Sequence, residues 1–152
     1  MDAVTYPEEK VINAVEKYFI PVRIPHDAKP LARRFGLTWT PLLIMVDAEG
    51  VEHHRSVGFL PPEELIPMLL LARGKVHYGR GEQEEAIAML DLMASEYPKS
   101  HWTPEGIYYR AVAQYKQSHE AKPLKAGYER LAEEYPSSLW AQKAAPYRLL
   151  NV

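Results

Sequence analysis

The chain contains no cysteine, so it has no thiolate for disulfide exchange or nucleophilic catalysis. It also lacks an apolar run of the about 20 residues that a membrane-spanning helix needs. No basic-then-apolar leader of the secretory kind opens the sequence. From these absences we expect a cytoplasmic protein, or a periplasmic one if the true N-terminus lies further upstream.

Charge and motifs exclude several further classes. The net charge is −2, and the Arg33-Arg34 pair is the longest basic cluster, so neither a nucleic-acid nor a membrane partner is expected. No phosphate-binding loop and no nucleophile elbow is present, and we predict no cofactor and no catalytic residue. The six histidines lack ligand spacing, so we predict no metal site and solvated imidazoles.

The first sixty residues alternate between helical and strand patterns. Thr5 is the expected cap of the first helix, and Gly36 is expected to end the second. The run from Leu42 to Val46 is wholly apolar, which is typical of a strand covered on both faces. The predicted elements are helix 7–18, strand 20–24, helix 29–35, strand 42–46, turn 47–50 and strand 51–57.

From Pro61 onward the pattern is helical throughout. Segment 93–102 aligns with segment 131–140, and such a repeat indicates stacked helix pairs. Tyr97 and Tyr135 are expected to close the helices before each repeat turn, since a proline follows each of them. The predicted helices are 63–79, 83–96, 104–117, 121–134 and 138–149, with a kink or late start at Pro67.

The order of these elements resembles a bacterial thioredoxin-fold protein with a helical extension. Residues 4–75 resemble the C-terminal two-thirds of a thioredoxin-like domain, and residues 76–148 resemble a tetratricopeptide-like tail. The resemblance is carried by segments 19–24, 31–37, 40–41, 47–50, 58 and 74–88. It implies an α/β thioredoxin-like fold with a partial sheet at residues 1–75 and an all-α tetratricopeptide-like region at residues 76–152.

The resemblance breaks upstream of Met1, where the family's C-x-x-C and its central strand would lie. Either the start codon is set too late, or the domain is shortened. In the shortened case Ile20–Ile24 must pair directly with Leu42–Val46, or a partner chain must fill the gap, because buried strands do not leave backbone groups unpaired. We therefore expect direct pairing of those strands or a homodimer that completes the sheet.

Two function hypotheses follow from the resemblance. The first is a non-catalytic module that binds partner proteins or peptides, and the second is the C-terminal part of a thiol–disulfide oxidoreductase. A third reading is a purely helical scaffold. The resemblance implies a cis-proline loop that binds peptides at Trp39, Thr40 and Pro41. A repeat groove is the other candidate site, with the aromatic side chains of Trp102, Tyr108, Tyr109 and Tyr115.

Overall fold

The N-terminal helix is anchored by the residues that precede it. The computed structural model describes all 152 residues, and its first helix, α1, spans Glu9–Tyr18. Thr5 was expected to cap this helix, but its hydroxyl is buried and donates to the Leu60 carbonyl oxygen at 2.7 Å. The cap position belongs to Glu8, whose side chain makes no capping bond. Thr5 therefore ties the N-terminus to the start of the helical region.

The strand predicted at residues 20–24 does not form. This segment has extended or irregular backbone, makes no backbone hydrogen bond, and leaves Ile20 and Val22 exposed. The short helix α2 follows at Lys29–Arg34 and ends before Gly36, whose φ is +62°. No helix or strand packs against α2. The prediction failed because a strand needs a neighbour to bond with, and this segment has none.

The sheet is a single antiparallel hairpin. Strand β1 spans Leu42–Val46 and strand β2 spans Glu52–Val57. In the turn, the Asp47 carboxylate accepts the backbone N–H groups of Glu49 and Val51, which is how an aspartate closes a tight turn. Gly50, which lies between these two residues, has a φ of +81°, and such a value favours glycine. A bulge after Met45 shifts the register by one residue.

The rest of the chain is helical. Pro67 lies inside the first of these helices, which begins at Pro62 and continues to Gly79 instead of starting late. That helix also crosses the predicted domain boundary at residues 75 and 76. Tyr97 and Tyr135 occupy the C-terminal cap positions of two helices, as predicted. The helices are α3 Pro62–Gly79, α4 Gln83–Glu96, α5 Thr103–Ser118, α6 Lys122–Glu134 and α7 Leu139–Ala144, followed by a 3-10 helix at Ala145–Leu149.

Helices α3 to α7 stack in sequence order, each on its neighbour, and α3 also packs on α1 and on the hairpin. Close helix approach depends on glycine. A Cβ built on Gly74 would lie 2.8 Å from Leu90, and one built on Gly127 would lie 2.5 Å from the Ala111 Cβ. Ala126, the residue before Gly127, is exposed instead. None of the helices combines the length and apolar character that crossing a membrane requires.

Candidate functional site

The Thr40–Pro41 loop leads directly into β1. Its peptide bond is cis, and the Pro41 carbonyl oxygen accepts the Gly58 N–H at 2.8 Å. That bond fastens the loop to the residue that follows β2. The side chain of Trp39, one residue before Thr40, is 70% exposed. The loop therefore presents a large aromatic surface beside the start of a strand.

The outer edge of β1 has no hydrogen-bonding partner. In an antiparallel pair, hydrogen-bonded and non-bonded residue pairs alternate. Since Pro41 bonds Gly58, the backbone groups of Leu43 and Met45 also point toward β2. The N–H and C=O groups of the three alternate residues point away from β2 and have no other strand beside them. These residues are Leu42, Ile44 and Val46, and their six backbone groups are called the free edge below.

One face of the hairpin is also less covered than the other, since Leu42 and Ile44 on it are only half-buried. Leu43 and Met45 point into the core that α1 and α3 form, so the residues of the free edge point to the opposite face. On that face Val46 is 43% exposed and Val57, which pairs with Leu42, is 52% exposed. The apolar strand pattern predicted full cover on both faces, and the structure supplies only partial cover on this one, which is called the uncovered face below. A free edge and an uncovered face thus coincide at β1.

A buried polar cluster joins the hairpin to the helices. The Lys75 ammonium on α3 donates to Nδ1 of His54 at 3.2 Å and to the Glu105 carboxylate at 2.8 Å. The His54 ring also meets the Trp102 ring edge-on, with 5.4 Å between centroids. Burial and the neighbouring Lys75 charge lower the pKa of His54 to about 4. His54 is therefore neutral near pH 7, and it lies at the junction between the hairpin and the helical region.

Solvated imidazoles were predicted throughout, and for three histidines this is wrong. His54 is buried, and the His53 and His77 side chains are only 11% and 14% exposed. Nε2 of His53 lies 2.7 Å from the Asp47 carboxylate, and this hydrogen bond is the main reason the pKa of Asp47 is lowered. The sequence could not reveal these contacts, because each depends on how the turn or helix end folds. No group of three acidic or histidine side chains in the structure could hold a metal ion.

The four aromatic residues predicted to line a repeat groove lie in different places. Trp102 packs at the junction beside His54. The Tyr108 hydroxyl lies 3.1 Å from the Tyr147 hydroxyl, and Tyr109 meets the Tyr78 ring edge-on at 5.5 Å. Trp102 is a half-buried contact between the hairpin and the helices, Tyr108 and Tyr109 are half-buried contacts between helices, and Tyr115 is 40% exposed.

A cavity that the sequence did not single out lies beside the second repeat turn. Its volume is about 560 Å³, and it opens between the start of α5 and the turn that joins α6 to α7. The repeat segment 131–140 pointed to this stretch of chain, but not to a cavity there. The lining residues include His101, Pro104, Tyr135, Pro136, Leu139 and Trp140.

Comparison with known families identifies a domain in the N-terminal part of the chain. Residues 1–73 match the model of a thioredoxin-like domain, which confirms that part of the sequence prediction. No curated protein and no solved structure matches the chain. The tetratricopeptide-like character of the helices stays a prediction.

Proposed function

Because residues 1–73 form a thioredoxin-like domain in a chain without cysteine, we propose that this protein is a non-catalytic interaction module. It binds extended segments of partner proteins at the Thr40–Pro41 end of β1. The observation that supports this function is the free edge of β1, which continues directly from the exposed Trp39.

An extended segment fits this place for two physical reasons. Its main chain can hydrogen-bond to Leu42, Ile44 and Val46, as strand addition to a sheet edge requires. Its alternate side chains then reach the uncovered apolar face, and Trp39 offers a rigid aromatic contact at one end. No covalent step follows, since the chain has no thiol to form a mixed disulfide.

Selection from a displayed library of random peptides tests this function. We expect the selected peptides to bind wild type and to lose at least about tenfold in affinity for Trp39→Ala, since buried tryptophans at interfaces contribute about 2 kcal/mol or more. Tyr115→Ala is the matched control, because it removes another exposed aromatic ring from the helical region. Equal affinity of wild type and Trp39→Ala for every selected peptide would contradict the proposal.

The helical region is the second candidate for partner binding, and the cavity beside the second repeat turn favours it. Under this proposal α3 to α7 are tetratricopeptide-like helix pairs, and Tyr115 is the one predicted groove residue in the exposed class, at 40%. Peptides that lose affinity for Tyr115→Ala or Trp140→Ala but not for Trp39→Ala would favour the helices over the β1 edge.

The oxidoreductase alternative depends on a C-x-x-C that this sequence does not contain. In an insulin-reduction assay we expect no turnover by this polypeptide. Reading the coding DNA in frame upstream of Met1 separates the two functions. A C-x-x-C with two further β-units there would favour the oxidoreductase, and a stop codon with a ribosome-binding site beside Met1 would favour the interaction module.

A further inference from the structure

The two edges of the hairpin differ in their protection. Proteins discourage unwanted strand pairing with charged side chains or prolines on exposed edges. The β2 strand carries Glu52 and Arg55, which form an ion pair with each other. The β1 strand, Leu42–Val46, carries neither charge nor proline. The edge that lacks this protection is therefore the free edge of β1.

The free edge is also complementary to itself. If two copies of β1 run antiparallel with Ile44 opposite Ile44, then Leu42 of each lies opposite Val46 of the other. All three residue pairs are then hydrogen-bonded pairs, because all three residues have outward-pointing backbone groups. Every N–H and C=O of both free edges finds a partner. A shift of one residue would place these groups opposite inward-pointing ones and leave them unpaired.

Side chains and charges are compatible with this pairing. The uncovered apolar faces of the two hairpins would join into one continuous surface across the new sheet, at a strand spacing of about 4.8 Å. Arg55 beside Ile44 is already paired with Glu52, and the Asp47 carboxylate beyond Val46 is engaged within its own turn. No unpaired charge of either hairpin is brought against the other.

From these features we infer that the protein forms a homodimer through β1, as a four-stranded antiparallel sheet with a two-fold axis at Ile44. The occupant of the free edge is a second copy of this chain, because the register with Ile44 opposite Ile44 pairs every edge group and brings no unpaired charge across the axis. This inference holds whether or not the proposed peptide binding exists. If both exist, peptide and second copy compete for the same backbone groups.

Engineered cysteines test the register directly, because the natural chain contributes none. Hydrogen-bonded partners across an antiparallel pair have Cα atoms about 5.5 Å apart, within the range of about 4.4–6.8 Å that a disulfide spans. We expect Ile44→Cys to give a covalent dimer under mild oxidation. Arg55→Cys is the matched control, because two copies of residue 55 would be three strand spacings apart, about 14 Å.

Sedimentation measurements over a range of concentrations test the association itself. We expect a reversible wild-type dimer that Ile44→Pro converts to a monomer, since the lost N–H points outward and the β1–β2 ladder is kept. Arg55→Pro makes the same change on the outer edge of β2 and should leave the dimer intact. Circular dichroism checks that each variant is folded. If Ile44→Pro is unfolded, the comparison of Ile44→Cys with Arg55→Cys alone tests the inference.

Two results would overturn the inference. One is a wild-type monomer at every concentration together with cross-linking of Ile44→Cys no faster than that of Arg55→Cys. The other is a dimer that survives Ile44→Pro but is lost in Arg55→Pro. Failure of peptide binding is a separate result, because selected peptides can be absent while the dimer forms.

Discussion

The helical region and the N-terminal region of this molecule differ in how completely their backbone hydrogen bonds are formed and their apolar side chains are packed. In the helical region each helix bonds its own backbone and buries one side on its sequence neighbour. In the N-terminal region, segment 20–24 makes no backbone hydrogen bond, α2 packs on no helix or strand, and β1 has a strand on one side only. Both regions are about equally apolar in sequence, yet the N-terminal region leaves more of its large apolar side chains exposed, among them Ile20, Val22 and Trp39.

The difference follows from the range of the interactions. A helix closes its hydrogen bonds within four residues, so it needs only one packed side to be stable. A strand depends on residues far away in the chain or in another molecule. When a neighbouring strand is missing, the helices remain intact and the strands are left with open edges. The open edges are where we place partner binding.

The largest effect is expected in the core of the helical region. Leu90 of α4 is fully buried and lies against Gly74 of α3. Leu90→Ala should lower the free energy of unfolding by about 3 kcal/mol, since it leaves a cavity between two helices. Leu139→Ala is the control, because this side chain at the start of α7 is exposed, and it should change the free energy of unfolding by less than about 0.5 kcal/mol. Urea unfolding measures both, and similar values for the two variants would show that α3 and α4 are not tightly packed.

A slightly smaller effect is expected at the junction between the regions, and it depends on pH. The pKa of His54 is lowered from 6.5 to about 4 in the folded protein, so the unfolded chain binds the proton first as the pH falls. The contribution of neutral His54 to the free energy of unfolding is fully present above pH 6.5 and is lost as the pH falls toward 4. The loss is about 3 kcal/mol at most, because each pKa unit corresponds to about 1.4 kcal/mol.

Comparison with His54→Gln isolates this contribution from the other titrating groups. Lys75 on α3 and Glu105 on α5 face His54 from the neighbouring helices, Glu52 lies two residues away on β2, and all three are retained in the variant. We expect the free energy of unfolding of His54→Gln to depend less steeply on pH between 6.5 and 4 than that of wild type. Parallel curves would mean that water reaches His54 and that the junction is loose.

Close packing between α5 and α6 gives the next effect. Gly127→Ala would place a Cβ 2.5 Å from the Cβ of Ala111, so the helices must separate. We expect a loss of about 2 kcal/mol, even though alanine favours helix by about 1 kcal/mol over glycine. Adding Ala111→Gly removes the opposing methyl group and should restore part of the loss. An additive double mutant, measured by urea unfolding, would show that the two helices do not touch there.

The sequence predicted the helices and both strands of the hairpin well, and it failed at the strand expected over residues 20–24, for one physical reason. Helix periodicity, together with the capping tyrosines Tyr97 and Tyr135, is a local signal, and these elements begin and end within a few residues of prediction. The strand at Ile20–Ile24 has an equally strong local signal, but its formation depends on a neighbour that the chain does not provide. A local sequence pattern is therefore enough to predict a helix, whereas it predicts a strand only where a neighbouring strand is available.

The same reasoning applies to the candidate site. The sequence located Trp39, Thr40 and Pro41 because their loop lies between recognisable elements. It did not locate the junction of His54, Lys75 and Glu105, whose members come from three different elements. Residues so far apart in sequence carry no spacing pattern. Only the packing of the hairpin on α3 and α5 brings their side chains together.

The smallest effect is expected at Ile20, whose side chain is 92% exposed. Ile20→Ala should change the free energy of unfolding by less than about 0.5 kcal/mol, because there is almost no buried surface to lose. Direct pairing of segment 20–24 with β1, which the sequence suggested as one way to complete the sheet, would bury this side chain on the uncovered face. A loss above about 1 kcal/mol in urea unfolding would therefore show that the segment closes onto β1 in solution. In that case the free edge is filled from within the chain, and both the peptide site and the dimer lose the backbone groups on which they depend.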